Sequence, residues 1–292
     1  MAVKAKLDIL VSTLCYAGNG GYSAIHPSIK NWWAKTYHVM RADDRIGDIF
    51  TEDPCDTPVP MVRNKAVENA RTCGADVLVM VDSDMWPDRR LGRDPSAKPF
   101  WDSSFDLLYE RWCRGDYTVI GAPYCGPPPH ESPYVFTYRN FRSAHPNPDL
   151  RLEMFSREEV VGRTGFEEVA ALPTGLIMYD MRIFQVMDPP YFYYEYKDKF
   201  QSEKASTEDV TATRDVSLLT QSRLGYNPCF CNWDAWAGHM KPLCVDKPQA
   251  ICVEDVALKY HEAMRHGIKA RERLTFVGEG KNGRIPENSD VR

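Results

Sequence analysis

An uninterrupted apolar run, Val77-Leu78-Val79-Met80-Val81, stops at Asp82-Ser83-Asp84 and passes into the turn-forming stretch Met85-Trp86-Pro87-Asp88. No other feature restricts the fold as strongly. A strand buried on both faces reads as continuous apolar sequence, and such strands belong to sheets covered by helices. Upstream, Val62, Ala66, Ala70 and Cys73 recur at helical spacing through residues 60–71, and Gly74 stands where a C-terminal cap is expected. Helix, glycine, buried strand and paired acids make half of an α/β unit. Ligands of open α/β sheets collect beyond the carboxyl ends of strands, where these acids lie.

Two readings of the triplet follow from its chemistry. A carboxylate after a strand serves as a turn former or helix cap in many chains. Two carboxylates there also suit a hard divalent cation, magnesium or manganese, completed by substrate phosphates and water.

The chain has 292 residues, enough for one large α/β domain or two small ones, and 43% apolar with 26% charged residues is the composition of a folded globular protein. A net charge of -5 without a Lys/Arg block argues against a protein that coats nucleic acid by neutralising phosphates. The start, residues 4–17, is basic then apolar, but Asp8 and Ser12-Thr13 interrupt it, so it reads as a strand over 7–14 and not as a signal peptide. No stretch approaches the roughly 18 apolar residues of a membrane span. Nine scattered cysteines fit a reducing cytoplasm. Cys229-Phe230-Cys231 with Cys244 and Cys252 lacks the paired spacing of a zinc site. No feature calls for an obligate protein partner.

After the first strand, Gly18-Asn19-Gly20-Gly21 forms a loop without the spacing of a dinucleotide fingerprint. A short helix with Trp32 and Trp33 and a second strand near Tyr37–Arg41 are expected next. Helix 105–113, strand 117–122, a proline-rich insertion over 123–165, and strands 166–171 and 175–179 follow. The aromatic cluster 191–196 suits either a stacking wall for a ring-shaped substrate or packing beneath a loop. A helix over 208–223 ends at Gly225, a strand over 227–232 leads to Trp233 and on to His239, and an amphipathic helix spans 254–274 before a polar tail.

Four elements then stand in order: Arg63-Asn64, Asp82-Ser83-Asp84, Glu208-Asp209 and Gly238-His239. This order resembles the GT-A glycosyltransferases, in particular family 2-like and small bacteriophage-encoded enzymes, over residues 7–240. The resemblance implies a Rossmann-like, mixed but mostly parallel α/β sheet flanked by helices, with loop-rich insertions on the acceptor side. It implies a catalytic domain over 1–243 and a helical extension over 244–292. It assigns Thr13, Arg63, Asn64, Asp82, Ser83, Asp84 and Gly175 to a nucleotide-sugar, and Asp84, Asp82 and His239 to a metal ion. An imidazole in the set favours manganese over magnesium. Of the paired acids, Asp209 is the base candidate and Glu208 an acceptor-orienting group or the base itself. Thr207-Glu208-Asp209 also has the composition of a plain helix start.

The implied activity is metal-dependent transfer of a sugar, from a UDP-linked donor, to an acceptor hydroxyl. Inversion is favoured, and a modified DNA base is one acceptor. Val210-Thr211-Ala212 departs from the family, which carries a bulky apolar residue two positions after the acidic pair. Two other readings stay open. A nucleotidyltransferase would show a basic glycine-rich loop after the first strand, and no Lys or Arg stands between Gly18 and Lys30. A silent sugar- or nucleic-acid-binding module would not need Asp82, Asp84 and His239 together.

Overall fold

In chain order the elements are β1 (Leu7–Tyr16), α1 (Pro27–Ala42), β2 (Ile46–Glu52), β3 (Cys55–Asp56), α2 (Val59–Cys73), β4 (Val77–Asp82), β5 (Met85–Trp86), α3 (Phe100–Arg114), β6 (Val119–Gly121), β7 (Phe136–Tyr138), β8 (Leu152–Met154), α4 (Arg157–Val160), β9 (Phe166–Glu168), β10 (Leu176–Asp180), a 3-10 turn (Met181–Gln185), β11 (Glu195–Tyr196), β12 (Lys204–Ser206), α5 (Glu208–Leu224), β13 (Cys229–Asn232), β14 (Gly238–Met240) and β15 (Cys244–Val245). This computed structural model describes residues 5–16, 25–126, 131–138, 152–240 and 244–245. The glycine loop at 18–21, Cys252, the helix expected over 254–274 and the polar tail lie outside them.

Eight strands form a mixed sheet in the order β2-β1-β4-β10-β6-β13-β9, with β3 beside β1. β1 runs parallel to β2, β3 and β4, and β6 parallel to β13. β10 is antiparallel to both β4 and β6, so those two point the same way. The fold is therefore the expected mixed α/β layer with helices on the sheet.

Strand alternation decides the layering. Leu7, Ile9 and Val11 of β1 and Val77, Val79 and Val81 of β4 pack with α1 and α3 residues such as Ile29, Trp32, Phe100 and Phe105. Leu10 and Leu14 of β1 and Leu78 and Met80 of β4 face the other way, onto Val62, Ala66 and Ala70 of α2 and Ala212 and Val216 of α5. All six residues of β4 are buried, the outcome its continuous apolar run predicts. Each such aliphatic side chain contributes about 1.5–3 kcal/mol by leaving water. Gly74 and Gly225 end α2 and α5 in the left-handed conformation, at φ 75° and 77°.

The strand expected near Tyr37–Arg41 is not there. One helix, α1, runs through it, and the second strand is Ile46–Glu52. Ile29, Trp32, Thr36 and Met40 are buried at spacings of three and four, whereas Tyr37 and Val39 are exposed. Aromatic and β-branched residues on the outer face imitated a strand. The 123–165 insertion contains a short β7–β8 pair and α4, a one-turn helix closed by a Ser156/Glu159 capping box. In the aromatic cluster, Tyr191 and Phe192 are core residues packed on Phe184, which settles that part as packing.

Candidate functional site

β1, β4 and β6 end at one edge of the sheet, and the antiparallel β10 begins there. That edge collects Thr13, Asp82, Asp84, Tyr124 and Gly175 from four strand ends.

Asp82 is the sixth residue of β4 and shares its face with Leu78 and Met80, so its carboxylate turns towards α2. There Arg63, 3% exposed, donates from Nη2 to Asp82 Oδ2 at 3.0 Å, from Nε to Glu208 Oε1 at 3.4 Å and from Nη1 to the Thr174 carbonyl at 3.2 Å. The Tyr16 hydroxyl donates to the other oxygen, Asp82 Oδ1. Arg63 lies on the apolar face of α2, which only buried acids can compensate. Burial pushes the Asp82 and Glu208 carboxyls above their usual range, against the pull of Arg63, while their charges hold the Arg63 guanidinium firmly protonated despite its burial.

Asp84 lies past the strand, its side chain one-third exposed (33%). β14 pairs with β5, setting His239 opposite Met85, and the Met240 amide donates to the Asp84 carbonyl at 2.7 Å. As a result His239 Nε2 stands 3.2 Å from Asp84 Oδ2, across 155 residues of sequence. The Nδ1 atom of His239 is buried without a partner.

The sequence expectation of three metal-binding side chains is corrected in one member. Among the described residues no three His, Cys, Asp or Glu side chains are placed to hold one ion. Asp82 is turned away by strand alternation, with both oxygens occupied by Tyr16 and Arg63. Asp84 and His239 do fit as a pair. One carboxylate oxygen and one imidazole nitrogen could hold a divalent cation such as manganese only with further ligands from a substrate or water.

The other candidates fall as follows. Thr13 lines a cavity of about 560 Å³ with Trp33, Lys30, Glu52 and Asp53, on the α1 side of β1. Ser83 is buried in the turn, its amide donating to the Leu14 carbonyl at 3.0 Å and its carbonyl accepting from His26 at 2.9 Å. Asn64 is structural. Its amide donates to the Pro60 and Phe192 carbonyls, each at 2.8 Å, and its oxygen accepts from the Tyr191 and Phe192 amides. Glu208 belongs to the Arg63 network. Asp209, one residue on, is half-buried and accepts from Thr207 Oγ1 and from the Val210 amide at 2.9 Å. Thr207 therefore makes no side-chain cap for α5.

No family model matches the chain, and no curated protein sequence matches it. Among solved structures it is similar to A197 from STIV, at 15% identity and a TM-score of 0.45, covering 81% of this chain and 86% of that one. It is also similar to a Bacillus anthracis protein assigned as a glucose-1-phosphate thymidylyltransferase and crystallised with sucrose (9% identity, TM-score 0.33, 79% and 69% covered). HddC from Yersinia pseudotuberculosis gives 6% identity and a TM-score of 0.31, with 80% and 93% covered. Likeness at this level assigns no activity.

Gly175 owes its place to packing. A side chain there would meet Tyr124 Cε1 at 2.7 Å and Met85 Sδ at 2.9 Å, so the space above it is filled and not open to a sugar. Tyr124 is fixed by His239 and Tyr134, at centroid distances of 4.9 and 5.6 Å, and yields little. Gly175→Ala is expected to cost about 1–3 kcal/mol by overpacking, read from urea unfolding. A cost near zero would show that Tyr124 moves freely.

Sequence reasoning missed Tyr16 and Tyr124. Tyr124 follows β6 as Asp84 follows β4, but that parallel is visible only once β10 is known to separate two strands running in the same direction.

Proposed function

We propose that the chain is a glycosyltransferase that moves a sugar from a nucleoside-diphosphate donor, UDP-linked, to an acceptor hydroxyl. One observation carries the reading: Asp84 Oδ2 and His239 Nε2 meet at 3.2 Å beyond the carboxyl end of β4. Two donors converging at a sheet edge suit a cation that itself holds a diphosphate. The cavity at Thr13 supports the nucleoside end. Trp33 offers a ring to stack on, Asp53 can accept from base or ribose hydroxyls, and Lys30 faces negative charge, whereas the Glu52 carboxylate is taken up by Ser12 and Asn69.

Manganese held by Asp84 and His239 would supply charge for the departing diphosphate. The protein residues do the rest. Asp82, locked by Arg63 and Tyr16, fixes the turn that aims Asp84. Asp209 takes the acceptor proton as the acceptor oxygen forms its bond to the anomeric carbon. The bond from that carbon to the phosphate oxygen breaks, and its electron pair leaves with the nucleoside diphosphate. A single displacement of this kind inverts the anomeric centre. Glu208 is not the base in this scheme, because its carboxylate is the counter-ion of Arg63.

The deciding experiment incubates the protein with manganese and a panel of nucleotide-sugars, with saccharides and a hydroxyl-bearing DNA base as acceptors. Release of nucleoside diphosphate supports the reading. Release of pyrophosphate from a nucleoside triphosphate and a sugar phosphate would replace it with nucleotidyl transfer. No nucleotide effect of either kind would leave only a binding module. Asp209→Asn is expected to lower turnover about 100-fold with donor affinity unchanged. Glu208→Gln should chiefly lower stability. Equal turnover in Asp209→Asn and wild type would remove Asp209 from the role.

A further inference from the structure

Tyr124 follows β6 at the same sheet edge and lies beside His239. Its ring meets His239 edge-on, covers Gly175 and is braced by Tyr134. The residue is only 5% exposed, yet its hydroxyl has no hydrogen-bond partner among the described residues. The hydroxyls of Thr174 and Tyr179 also lack partners, but those are sealed from solvent, and that of Tyr124 is not among the sealed atoms. An immobilised ring whose O–H reaches solvent beside His239 is placed to bond an oxygen that arrives there. Because that O–H reaches solvent, a ligand oxygen would take the place of water there.

We propose that Tyr124 contacts the donor, its phenolic O–H hydrogen-bonding an oxygen of the transferred sugar between the Asp84–His239 pair and Asp209. The proposal rests on the transferase reading above. A site that bonds a substrate hydroxyl rejects the analogue lacking it far more strongly than an apolar pocket rejects a missing methylene. Tyr124 would therefore help select the sugar and not the nucleotide.

The test compares wild type and Tyr124→Phe with manganese, the preferred donor, and donors deoxygenated at one sugar position each. The ring contacts survive in the variant, so its melting temperature and its affinity for the nucleoside diphosphate alone should match wild type. Its kcat/KM for the intact donor should fall about tenfold or more. With one deoxy donor the variant should lose nothing further, since the bond is already absent. Full activity in Tyr124→Phe, or additive losses with every deoxy donor, would overturn the assignment while the transferase reading stands. A wild-type protein that neither binds nor turns over any nucleotide-sugar overturns both.

Discussion

On the proposed transferase reading, Asp84→Ala is expected to abolish manganese-dependent binding of a nucleoside diphosphate and to slow transfer about 10³-fold, roughly 4 kcal/mol of lost leaving-group stabilisation. The size follows from the surroundings of the residue. Asp82, the nearest acid in sequence, cannot take over, because Arg63 and Tyr16 occupy its oxygens. His239 alone leaves a single nitrogen ligand. The substitution should hardly disturb the fold. The Met240 amide bonds the Asp84 backbone carbonyl, which alanine retains, and a third of the side chain is exposed. Stability without ligand should fall by at most about 1 kcal/mol. Calorimetry with manganese and UDP, alongside a thermal melt, separates the two effects. An Asp84→Ala protein that keeps the manganese response would end the cation assignment.

Arg63→Met is expected to be the most destabilising single change at the site, at about 3–5 kcal/mol, since it strands two buried carboxylates. The loss depends on pH. Burial already raises the Asp82 and Glu208 carboxyls in the folded protein. An acid whose folded pKa exceeds its unfolded value makes folding take up a proton, so stability falls as pH rises through that window. Without Arg63 both values climb further and the window widens upwards. The deficit should thus grow with pH and be larger at about pH 8 than at about pH 5. Adding Asp82→Asn and Glu208→Gln to Arg63→Met should restore part of the stability at the higher pH. Urea unfolding at both values checks this, and a deficit independent of pH would mean that lost packing, not stranded charge, dominates.

The helices and strands with clear periodicity were legible in the residues. The apolar run of β4, the stripe of α2 with Gly74 and the end of α5 at Gly225 all form where the pattern put them. The pattern misled where two elements share a composition. Tyr37-His38-Val39 reads as strand because its outward face is aromatic and branched, and only the inward spacing from Ile29 to Met40 reveals a helix. Glu208 and Asp209 are indistinguishable in sequence as candidate bases. They separate because the first helical position of α5 turns one carboxylate onto Arg63 and leaves the next beside Thr207.

Period and composition thus determined the α/β class, the buried strand and the acids at its end, because hydrophobic spacing acts locally and needs no knowledge of neighbours. Tertiary structure decided where each acid is placed. Alternation along β4 sends Asp82 inward to Arg63, and pairing of β14 with β5 sets His239 beside Asp84. Contacts across 145 and 155 residues depend on which strands adjoin, and sheet order leaves no periodic trace in the chain.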